Sequence, residues 1–233
     1  MNPDVDDSIR ADSTVAIRTA TYLSYAHGEA ATTFLELATK AEQGDGGLAS
    51  RPFVLACVVH SVAWLESKWA EFKEDATRQI RGESLRASTF DESVAHLLAN
   101  PVIEPGSANK GLPKLLKQIR SFRGALSETL FHKEWVEEID YGLKISIFAR
   151  NSILHWTSDI VEGPTSYEEY PRDQRGGDAV WNEVYRIVGD HPCLEAPGTS
   201  MPDQVLHSGL ARFVYDVVKR VVSILETLPL ESD

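Results

Sequence analysis

Cysteine is nearly absent from this chain: Cys57 and Cys193 are the only two in 233 residues. They stand far apart and form no C-x-x-C pair, so they suggest neither a disulfide framework nor a zinc knuckle. Long apolar runs are missing too. No stretch approaches the ~20 residues that a membrane-spanning helix needs. The opening MNPDVDDSIR is acidic and polar, unlike a secretory signal peptide. A reducing, cytoplasmic location is the default expectation. Runs that alternate polar and apolar residues are lacking, as are internal repeats and low-complexity tracts. There is no Gly-x-x-x-x-Gly-Lys phosphate loop, no Gly-x-Ser-x-Gly elbow and no His-Glu-x-x-His pair. Hydrolases and nucleotidyltransferases built on those motifs are set aside.

Positive charge is in short supply. Lys and Arg number 23 against 35 Asp and Glu, a formal net charge of −12. Such a mean field repels phosphate and argues against a protein that coats nucleic acid indiscriminately. It leaves room for a local basic site, and one stretch qualifies. From Pro105 to Ser127 there is no acidic residue, yet Lys110, Lys114, Lys117, Arg120 and Arg123 all fall there. That stretch reads either as an RNA-binding patch or as a solvated helix face.

What is present is helical periodicity. Apolar residues make up 42% and charged residues 25%, enough to build a core without staples. The first helix is expected after Asp12 or Ser13, either a suitable N-cap, running to Gln43 before Gly44, Gly46 and Gly47. A second opens near Pro52 with the stripe Leu55, Val58, Val62, Leu65, Trp69 and Phe72, and ends around Arg78 to Gly82. A short helix spans Asp91 to Leu98, closed by Asn100 and Pro101. The next carries Leu112, Leu115, Leu116, Ile119, Phe122 and Leu126 on one side. Another runs from Glu134 to Ile160. After the irregular segment Glu162 to Gly177 come a helix at Asp178 to Val188 and a proline-rich loop, Asp190 to Pro202. The last helix opens at an Asp203 cap and reaches Leu228, with Leu206, Leu210, Phe213, Val214, Val217, Val221, Ile224 and Leu228 as its stripe. The expectation is an all-α bundle: a flexible N-terminus over residues 1–12, then one domain over 13–228 interrupted by a loop-rich insertion at 162–202.

The stretch LKISIFARNSILHW, Leu143 to Trp156, carries the most chemistry. Leu143, Ile147, Arg150 and Leu154 follow at steps of four, three and four, so Arg150 sits on a stripe that should face the core or an interface. Asn151 and His155, four apart, share the neighbouring face with Lys144 and Phe148. A buried arginine needs a partner. Glu66, at the margin of the second helix's stripe, is the candidate, and such an ion pair could be purely structural or could hold a catalytic arginine in place. The other histidines, His27, His60, His96, His132, His191 and His207, lack ligand-spaced companions and read as surface or satisfied residues.

Arg150-Asn151-Ser152-Ile153-Leu154-His155 reads R-N-x-x-x-H and resembles the signature of the HEPN superfamily (higher eukaryotes and prokaryotes nucleotide-binding). That signature is an arginine, a polar residue and then a histidine one to two helical turns later, on a late helix of a small bundle. Ser61-Val62-Ala63-Trp64-Leu65-Glu66 is similar to the family's earlier glutamate-bearing helix, and the final amphipathic helix fits as well. The resemblance spans Phe53 to Leu228 in outline. The insertion at 162–202 and the additional N-terminal helix depart from a minimal family domain.

The resemblance implies an up-and-down HEPN-like bundle that forms a homodimer, with Arg150, Asn151 and His155 of both copies in one composite site. That site would cleave RNA without metal or cofactor, as in a toxin or phage-defence effector. Histidine suits the proton transfers, and arginine the phosphate charge. Two other readings stay open. One is a non-catalytic module that binds a nucleotide, RNA or a protein, with Tyr167, Tyr170 and Trp181 as a partner surface. The other is a subunit of a pair in which an antitoxin-like partner modifies or silences this chain, with Thr157 and Ser158 as acceptors.

Overall fold

A computed structural model describes residues 4–45, 47–83, 90–101, 113–125, 137–154, 184–188 and 205–227. For 4–22, 45 and 47–48 it describes the backbone alone. The described regular elements are helices. They are α1 (Asp4–Asp45), α2 (Gly47–Ile80), α3 (Glu92–Ala99), α4 (Lys114–Ala125), α5 (Glu137–Leu154) and α6 (Ser208–Glu226), with a helical segment at 184–188 between the last two. The all-α expectation holds. No described helix is long and apolar enough to cross a membrane.

Several boundaries differ from those read off the sequence. Helix α1 begins at Asp4, ahead of Asp12 and Ser13. Aspartates at positions 4, 6 and 7 suit the positive end of a helix dipole, so a start there is electrostatically favoured. Helix α2 begins at Gly47, which leaves Pro52 in the second turn instead of the first. Helix α5 is described over a shorter span than Glu134 to Ile160. Helix α6 opens at Ser208; Asp203, the expected cap, lies outside the described residues.

Local chemistry explains the ends. Gly82 adopts φ +71, the left-handed conformation that glycine takes without a Cβ clash. Its N–H donates to Gln79 O at 2.9 Å and that of Glu83 to Arg78 O at 2.8 Å, the paired bonds that close a helix on a left-handed residue. Asp91 caps α3: its carboxylate accepts from Ser93 N at 2.9 Å and from the Ser93 hydroxyl. The Ser93 hydroxyl and amide hold the Asp91 carboxyl below the usual carboxylate range. Between these helices, Gln79 pins the strand-like Phe90 by two bonds, accepting from Phe90 N and donating to Phe90 O.

The chain forms two compact units. The first comprises Met1–Gly28, Ala63–Glu137 and Arg220–Asp233. Its core is Leu65, Trp69, Phe72 and Ala76 of α2, Phe90, Val94 and Leu98 around α3, Leu116, Ile119 and Phe122 of α4, and Val221, Ile224 and Leu225 of α6. Trp69 meets Phe122 edge-on at 5.4 Å, and Phe72 meets Phe90 in the same way at 5.8 Å. The indole N–H of Trp69 donates to Gln118 Oε1 at 3.2 Å. Trp69 thus grips α4 at two successive turns, through Gln118 and Phe122. Each fully buried large side chain is worth about 1.5–3 kcal/mol.

The second unit comprises Glu29–Val62 and Glu138–Lys219. It buries Ala31 and Ala38 of α1, Val54, Cys57, Val58 and Val62 of α2, Leu143, Ile145 and Ile147 of α5, and Leu210, Val214 and Val218 of α6. The Cys57 thiol reaches both Ala31 O at 3.4 Å and Ala211 O at 3.7 Å, so three helices meet at it. Burial pushes that thiol up to about 11. Helices α5 and α6 approach closely at Gly142, where a Cβ would stand 2.8 Å from Val217 Cγ2. Only a residue without a side chain allows that approach.

Candidate functional site

Helix α5 positions the arginine and asparagine of the motif. It buries Ile139, Gly142, Leu143, Ser146 and Ala149 on one side. Tyr141, Lys144, Phe148 and Asn151 recur at steps of three, four and three on the opposite side, and all four are half-buried. The Lys144 ammonium makes no ion pair among the described residues. Arg186, from the 184–188 segment, donates to Tyr141 Oη at 3.1 Å and lies over its ring at 6.0 Å. One side of α5 is therefore core, and the other interleaves cations and aromatics, ending at Asn151.

At that end, Arg150 Nη1 donates to Asn151 Oδ1 at 3.0 Å. The bond uses one acceptor site of the amide carbonyl and leaves the amide NH₂ pointing elsewhere as a donor group. The stripe expected to face the core or an interface changes in exposure along its length. Leu143 and Ile147 are buried and Arg150 is half-buried, but Leu154 is 50% exposed. The last turn of α5 emerges from the core, while Arg150 stays half-buried with its Nε shielded from solvent.

His155, the third member of the motif, lies outside the described residues. So do Lys110, Tyr167, Tyr170, Trp181, Thr157 and Ser158. Glu66 is half-buried on α2 and belongs to the first unit, whereas Arg150 belongs to the second. The basic residues separate by depth: Lys114 is exposed, and Lys117, Arg120 and Arg123 are half-buried on α4. Among the described residues, no group of three or more His, Cys, Asp or Glu side chains could hold a metal ion.

Two histidines have definite local roles. His60 stacks on Phe34, ring centroids 5.4 Å apart. His207 is buried and caps α6: its Nδ1 accepts from Gly209 N at 3.0 Å, and its own carbonyl accepts from Leu210 N at 3.0 Å. Glu42 of α1 accepts from Ser208 N at 3.1 Å, so an imidazole and a carboxylate together satisfy the first amides of α6. The sequence reading placed the cap at Asp203, an ordinary N-cap residue, and did not consider His207. Gly209, two residues on, makes room for the imidazole, since a Cβ there would stand 2.5 Å from His207 Cε1.

Comparison with protein-family models, with curated proteins and with solved structures returns no match for this chain.

Proposed function

We propose that this chain is a metal-independent endoribonuclease whose site is composite, with Arg150, Asn151 and His155 contributed by each of two copies in a homodimer. The observation that supports this most is the Arg150–Asn151 hydrogen bond at the emerging end of α5, beside the exposed Leu154. The bond joins a half-buried guanidinium to a half-buried amide near the end of the helix. An exposed leucine one turn beyond Arg150 is apolar surface that a second copy would cover.

In this reading a histidine takes the proton of the RNA 2′-hydroxyl as that oxygen attacks phosphorus. The P–O5′ bond breaks, the leaving oxygen receives a proton from the second histidine, and a 2′,3′-cyclic phosphate remains. Arg150 balances the charge that builds on the phosphorane oxygens. Asn151, oriented by Arg150, donates to the phosphate or aligns the imidazole. The aromatic and cationic side of α5 suits a single strand, since bases stack on rings such as Phe148 while Lys144 meets phosphate.

The test is cleavage of a fluorescent mixed-sequence RNA in EDTA by wild type, Arg150→Ala and His155→Ala, each checked for folding by circular dichroism. Wild-type cleavage that survives EDTA and is lost in both variants is the expected result. Wild-type cleavage at the level of the variants would refute catalysis at this motif and favour a non-catalytic module that binds a nucleotide, RNA or a protein.

A further inference from the structure

We draw no further inference here: the strongest candidate, the carboxylates Glu71 and Asp75 one turn apart on α2, is a cluster of acidic residues already engaged by Lys68 and other groups of the protein, and no second observation among the described residues points to a ligand there.

Discussion

The close approach of α5 and α6 at Gly142 makes a sharp prediction. In Gly142→Ala the new Cβ would stand 2.8 Å from Val217 Cγ2, 3.4 Å from Val217 Cγ1 and 3.6 Å from Phe213 Cζ. Real Cβ atoms do not approach within 3 Å of such neighbours, so something must move. Val217 is β-branched and largely confined to one rotamer in a helix, so it cannot swing aside cheaply. Overpacking of this kind costs about 1–3 kcal/mol. Alanine in place of a helical glycine returns about 1 kcal/mol. The net expectation is a destabilisation of about 1 kcal/mol, small because two effects oppose each other. The decisive quantity is therefore the coupling with Val217. Val217→Ala alone removes packing from a half-buried site and should cost about 1 kcal/mol. Combined with Gly142→Ala it also removes the atoms that clash, so the double variant should be more stable than the sum of the two by about 1–2 kcal/mol. Urea denaturation of all four proteins, followed by far-UV circular dichroism, measures this. Additivity within about 0.5 kcal/mol would mean that the two helices do not meet there, and the account of the second unit would fail. Arg150 lies about 12 Å further along the same helix, so the RNA cleavage proposed for it should fall in Gly142→Ala and recover in the double variant.

Gly209→Ala should cost about 1–2 kcal/mol, because its Cβ would stand 2.5 Å from His207 Cε1 and break the imidazole cap; thermal melting that matches wild type would exclude His207 as the cap. The Cys57 thiol is raised from 9.0 to about 11 by burial, so the neutral form is the one the fold stabilises. That contribution is fully present below pH 9 and is lost as the pH rises through about 11, with an upper bound of about 2–3 kcal/mol. Cys57→Ala should flatten the stability profile between those pH values, and a profile unchanged by the substitution would show that Cys57 is not its source. Glu71 is 4% exposed and its Oε1 accepts no hydrogen bond among the described residues, while Lys68, 3.6 Å from its Oε2, also pairs with Glu226 at 3.1 Å. Glu71→Met should therefore be neutral or stabilising by about 1 kcal/mol, and a loss of about 3 kcal/mol or more in denaturant would show that the carboxylate has an essential partner.

Composition and periodicity determine the class of this fold. A spacing of three and four in apolar residues can be satisfied only by helices that bury one side, and the alternation a sheet requires is missing. Breakers with a local mechanism were legible as well. Asn100 and Pro101 close α3, and Gly82 lies at the limit of the range expected for the end of α2, because each acts through its own backbone. For Arg150 the sequence offered Glu66 as partner; its hydrogen bond to Asn151, the next residue, came only with the structure. Tertiary structure decided what depends on distant residues. Periodicity placed Arg150 and Leu154 on a stripe that faces the core or an interface, and which of the two holds at the last turn depends on what lies beside it: Leu154 is exposed. Burial on α6 is wider than its predicted stripe, taking in Ala211, Val218, Val222 and Leu225, because more than one helix packs against it. The cap of α6 needs Glu42 from a helix more than 160 residues earlier, which no local pattern encodes. Gly142 looks in sequence like a weak point in a helix, and only the arrival of Val217 shows why no side chain fits there.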